Sequence, residues 1–207
     1  MPLLKIQKTD KQSGWALWFI TEQEAELSEA SGELVDSTIA SYTKRLEWLA
    51  GRALIKSLVE QCGLEFQGIT KDEFGKPFLK NHPHPISLSH SYPYVAAQID
   101  SIQEVGIDLE QPKSKLLNIA HRVLSPTEFE DAGTDVVKHC IYWCAKEAMY
   151  KLYGKRGLSF SHHLIVSPFE LMRTGDLKGK IIANGKSTEL ELIYSVQPDY
   201  VLVHTKV

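Results

Sequence analysis

Apolar and polar positions along this chain follow two rhythms, one of period two and one of period near 3.6, and the changes between them mark out its elements. Val105-Gly106-Ile107-Asp108-Leu109-Glu110 alternates strictly. It predicts a strand with one buried face and with Asp108 and Glu110 projecting from the same side. Residues 3 to 6 and 15 to 20 read as short strands around a turn at Ser13-Gly14, and about Ser37 to Cys62 reads as a long helix stopped by Gly63. Lys71 to Phe78 is a turn leading into extended chain, and the bend His82-Pro83-His84-Pro85 follows it. Strands at 86–90 and 94–99, with 105–110, then form an expected antiparallel meander. The second half is helix-rich from about Leu116 to Tyr153, then has strands near 164–166, 180–183, 189–196 and 200–205.

Two helices carry more information than their periodicity alone. On the first, Leu46, Leu49, Ala50, Ala53, Leu54 and Leu58 spread over one half of the wheel, while Arg45, Arg52 and Lys56 fall on a stripe about 40° wide. That stripe is either a solvated basic face or a cradle for an anion. On the helix from Asp135 to Tyr153, apolar residues nearly encircle the axis, yet Glu147 and Lys151 stand one turn apart on a single face. A carboxylate and an ammonium in a helix buried on most sides need partners, because desolvation costs several kcal/mol per ion. Before that helix, Ser125-Pro126-Thr127-Glu128 reads as a capping box with proline at the first helical position.

The order of elements predicts an α+β protein of two similar lobes, residues 1–110 and 111–207, with no sequence repeat between them. The net charge of −3 argues against a sequence-independent nucleic-acid binder, so any anionic ligand must be held by a local cluster. Three cysteines, Cys62, Cys140 and Cys144, are too few for a disulfide framework. They point to a reducing compartment, the cytoplasm by default, with Cys140 and Cys144 as a buried pair of small side chains. No stretch at the N-terminus has signal-peptide character, and no apolar run spans a bilayer, so no membrane association is expected.

Three carboxylates drawn into one partly buried cleft repel one another, which calls for a hard divalent cation. Asp108 and Glu110 from the strand and Glu147 from the helix are the candidate ligands, and magnesium so held keeps positions for water and substrate phosphate.

The segments Gly106-Ile107-Asp108-Leu109-Glu110 and Trp143-Cys144-Ala145-Lys146-Glu147-Ala148-Met149-Tyr150-Lys151 resemble the two signatures of the 4′-phosphopantetheinyl transferases of the larger, single-chain type. Gly75-Lys76-Pro77, Ser87-Leu88-Ser89-His90-Ser91 and Gly154-Lys155-Arg156-Gly157-Leu158 resemble further landmarks of that family, so the likeness runs from about Arg45 to Phe169. Ser87 stands where the family often has Asn, and Cys144 where Ser or Thr is common.

The resemblance implies pseudo-two-fold lobes with coenzyme A bound in the cleft between them, and a carrier-protein serine that attacks the β-phosphate to release adenosine 3′,5′-bisphosphate. It implies magnesium on Asp108, Glu110 and Glu147, and Glu147 as base, directly or by way of a water. Lys151 and Lys146 would add charge at the phosphates. Arg45 and Arg52 are carried over as phosphate contacts, His90 as a partner of the 3′-phosphate, and Lys76 with Ser89 as lining of the adenosine pocket. The partners implied are coenzyme A and an apo acyl or peptidyl carrier protein, with no nucleic acid and with a monomeric enzyme. Two rivals are a metal-dependent phosphodiesterase or nuclease and a carrier-binding module without turnover. The first lacks a basic track, and the second does not explain an intact acidic set.

Overall fold

Ser13 and Gly14 lie inside a strand, not at the turn expected there: β1 (Leu3–Asp10) and β2 (Ser13–Phe19) are antiparallel and Gly14 pairs with Lys8. A Cβ on Gly14 would lie 2.5 Å from the Gln7 carbonyl oxygen, so this glycine serves close strand approach. The computed structural model describes residues 3–206, and the chain splits into two compact units between Val105 and Gly106. Mixed helix and antiparallel sheet make the α+β class expected.

In the first unit, β5 (Ile86–Ser91) and β6 (Tyr94–Ile99) complete a sheet of order β1-β2-β6-β5, and β3 (Ile69–Lys71) pairs with β4 (Pro77–Leu79) as a small hairpin. Helix α2 (Tyr42–Gln61) buries the six apolar residues its wheel predicts. It starts at Tyr42, after the Ser41 cap, several residues later than expected. The reason is local: the Asp36 carboxylate accepts the Thr38 N–H at 2.9 Å, which turns the chain away from helix there.

A helix that periodicity did not announce, α1 (Glu24–Ser31), explains the basic stripe. Arg45 Nε meets Glu24 at 2.8 Å, Arg52 Nε meets Glu33 at 2.8 Å, and Lys56 Nζ donates to the Ala30 carbonyl at 3.3 Å. The Arg52 guanidinium also lies 3.3 Å from the centroid of the Trp48 ring. The stripe is therefore the seat of α1 and its C-terminal turn.

In the second unit, β7 (Ile107–Glu110), β8 (Leu164–Val166), β9 (Thr174–Ala183), β10 (Lys186–Val196) and β11 (Val201–Thr205) form an antiparallel sheet of order β7-β11-β10-β9-β8. Strand β7 thus ends no meander of the first unit; it opens the second unit's sheet, with Asp108 opposite Val203 and Glu110 opposite Val201. Helix α3 (Lys115–Val123) leads to α4 (Pro126–Ala132), where the predicted capping box closes: Ser125 N–H donates to Glu128 Oε2 at 2.6 Å. Helix α5 (Val136–Tyr153) crosses the sheet with Cys140, Ile141, Cys144, Ala145, Ala148 and Met149 wholly buried, and a single turn, α6 (Phe160–His163), follows. Among the described residues no helix is long and apolar enough to cross a membrane.

Candidate active site

Gly106 sets how near the start of β7 comes to α5. A Cβ there would sit 1.9 Å from the Ala148 carbonyl oxygen, so no other residue permits this approach. Thr205 holds the same point from β11: its Oγ1 accepts the Gly106 N–H at 3.1 Å and its own N–H donates to the Gly106 carbonyl at 2.9 Å.

Strand and helix being this close, the last turn of α5 reaches the strand. Lys151 Nζ donates to Asp108 Oδ1 at 2.7 Å and to the Ile107 carbonyl at 3.0 Å. Asp108 is only 4% exposed, and this ammonium is its charged partner. One turn earlier on the same face stands Glu147, half-buried. Burial pushes its carboxyl up to about 7; Asp108 adds to the rise, Lys151 opposes it, and Glu110 adds again. Thus Asp108, Glu110 and Lys151 each act on Glu147, and Lys151 pairs with Asp108.

Among the described residues no group of three or more His, Cys, Asp or Glu is drawn together tightly enough to hold a metal. Three carboxylates are the kind of donor a hard cation takes, and Asp108 and Glu110 both add to the rise of Glu147 that burial begins, with Lys151 offsetting part of it.

Lys146 is somewhere else. It is fully buried, and its ammonium meets Glu128 Oε2 at 2.6 Å, the Leu164 carbonyl at 2.6 Å and the Phe160 carbonyl at 2.9 Å. Its three N–H donors are matched by three acceptors, so the expected phosphate contact is corrected to a structural one. The Nε atoms of Arg45 and Arg52 are engaged by Glu24 and Glu33. In the first unit His90 Nδ1 lies 3.4 Å from Glu47 Oε2, Ser89 is buried on β5, and Lys76 pairs with Glu104. Cys140 and Cys144 are the buried thiol neighbours expected, and burial pushes Cys144 further from ionisation.

Beside Glu147 opens a cavity of about 420 Å³. Ile119, Arg122 and Val123 of α3, Trp143 of α5, and Ser159 and Phe160 form its walls with Glu147. Sequence reasoning missed these walls and missed Glu128 as anything beyond a cap. The available signal was a lysine in the middle of an apolar helix, which requires a buried carboxylate from elsewhere.

Residues 104–203 match the family model of the 4′-phosphopantetheinyl transferase superfamily. The chain is 36% identical over 122 residues to 4′-phosphopantetheinyl transferase Sfp of Bacillus subtilis strain 168, a stretch covering 54% of this chain and 53% of that protein. A second Bacillus subtilis 4′-phosphopantetheinyl transferase is 35% identical over the same length. With 4′-phosphopantetheinyl transferase HetI of Nostoc sp. strain PCC 7120 the identity is 29% over 161 residues, 67% of this chain and 68% of that one. The chain thus spans about half the length of the Bacillus relatives it matches.

Proposed function

We propose, from the match of residues 104–203 to the 4′-phosphopantetheinyl transferase superfamily, that the chain transfers 4′-phosphopantetheine from coenzyme A to a serine of an apo acyl or peptidyl carrier protein. The observation that carries the proposal is the meeting of Asp108, Glu147 and Lys151 at the contact that Gly106 makes possible, within the matched residues.

In this reaction the serine oxygen bonds to the β-phosphorus as the bond from that phosphorus to the bridging oxygen breaks, and adenosine 3′,5′-bisphosphate leaves with the charge. Glu147 would accept the serine proton, directly or by way of a water. Lys151 offers positive charge beside Asp108 where phosphate oxygens gather charge. Asp108, Glu110 and Glu147 would hold magnesium, which when bound supplies further positive charge to the pyrophosphate. From the resemblance, Lys76, Ser89 and His90 are retained in the proposal as nucleotide contacts. A monomer completes it, in a reducing cytoplasm to which three free, buried cysteines are suited.

Mass spectrometry of apo carriers incubated with the protein, coenzyme A and Mg²⁺ tests the proposal. The expected result is a gain of one phosphopantetheine on the carrier that Asp108→Ala and Glu147→Ala abolish. A gain persisting in both variants overturns the residue assignments, and no gain with any carrier overturns the activity.

A further inference from the structure

Lys146 and Glu128 are the most completely buried ion pair among the described residues, at 0% and 1% side-chain exposure, and the chemistry at Glu147 uses neither. Such a pair adds little net stability over an apolar equivalent, so its retention calls for a geometric reason. Lys146 grips the carbonyls of Phe160 and Leu164, the first residue of α6 and the residue just past its end. A helix of one turn cannot sustain itself, because nucleation fixes more dihedrals than its hydrogen bonds repay. Glu128 anchors the far side: Oε1 accepts the Val166 N–H at 2.7 Å and Oε2 the Ser125 N–H at 2.6 Å. The Phe160 ring in turn packs between Trp143 and Tyr150, with centroids 6.0 and 5.5 Å away. Trp143, Lys146 and Tyr150 recur at helical spacing, so one face of α5 holds the turn by its carbonyls and by its ring. Ser159 and Phe160 so held are a wall of the cavity beside Glu147.

We propose that the Lys146–Glu128 pair is a positioning device for the active site, fixing the Ser159–Phe160 wall of the cavity against the helix that carries Glu147. The role rests on the proposed transfer reaction at Glu147. Lys146 and Glu128 touch no reacting atom; they set the distance between the wall and the carboxylate, on which orientation of a bound substrate depends.

Lys146→Met alone strands a buried carboxylate and risks unfolding the unit, so the test uses the double variant Lys146→Met/Glu128→Gln, in which both charges leave together. Hydrogen exchange read by mass spectrometry should show at least tenfold faster exchange over residues 159–166, with β10 and β11 unchanged. In the transfer assay kcat should fall at least tenfold while KM for coenzyme A stays within threefold. Unchanged exchange over 159–166, or kcat within threefold of wild type despite faster exchange, overturns the proposal. The wild-type control separates the two readings: a wild type that transfers nothing refutes the proposed function and the positioning role with it, whereas an active wild type beside an equally active double variant refutes the positioning role alone.

Discussion

Glu147→Gln removes a charge that the folded protein carries at a cost while keeping the shape of the side chain. The Glu147 carboxyl rises from its ordinary 4.5 to about 7 in the fold, mainly through burial and the nearby Asp108 charge. At about 1.4 kcal/mol for each factor of ten, that rise corresponds to about 3 kcal/mol, and water on the exposed part of this half-buried group reduces the expectation to about 2 kcal/mol. The sign follows from linkage. Below 4.5 the acid is protonated in both states and the variant has no advantage; between 4.5 and 7 the folded state holds the proton that the unfolded state has released, so wild-type stability falls as pH rises. Above 7 the penalty is complete. Urea unfolding in EDTA at pH 5 and pH 8 measures it: the variant should gain about 2 kcal/mol over wild type at pH 8, about 1 M in midpoint, and little at pH 5. Adding Mg²⁺ at pH 8 should then stabilise the wild type more than the variant. Equal midpoint differences at the two pH values, or a variant less stable at pH 8, would refute the account of Glu147 as a strained anion.

Three further outcomes are expected. Lys151→Met leaves the buried Asp108 carboxylate without its ammonium, which should cost about 2–3 kcal/mol; because a divalent cation can take over that charge, thermal melts should show a larger Mg²⁺-induced rise in Tm than in wild type. Gly106→Ala forces a Cβ into the Ala148 backbone and should cost at least about 3 kcal/mol by chemical denaturation. Arg52→Ala should speed exchange in α1 at least tenfold and lower stability by about 1–2 kcal/mol, with KM for coenzyme A within threefold of wild type; a large rise in KM with α1 unaltered would return Arg52 to the nucleotide.

What could be read before folding and what could not separate along one physical line. Asp108 and Glu110 follow from strand periodicity, Glu147 and Lys151 from helical periodicity, and the Ser125 cap from a three-residue spacing, all interactions whose geometry is contained in a few consecutive residues. Helix α1 escaped because it buries only Leu27 and Ser31 and is seated by ion pairs from residues 19 and 21 positions away. The same holds for the late start of α2, where Asp36 diverts the chain through a side-chain hydrogen bond that apolar periodicity does not register.

Lys146 is the instructive failure, since it was legible in part. At 100° per residue it lies about 140° around α5 from Lys151, so the two side chains leave the helix on different faces. The wheel therefore sets Lys146 apart from the Lys151 side of the helix, and its apolar neighbours require a carboxylate to receive it. It does not say which one. Glu128, already committed by its spacing to the α4 cap, has a second oxygen and enough acceptor sites to serve Val166 and Lys146 as well. That choice depends on α4, α5 and β8 converging in space, which makes the pair a product of tertiary structure and the wall it holds a feature no local pattern could foretell.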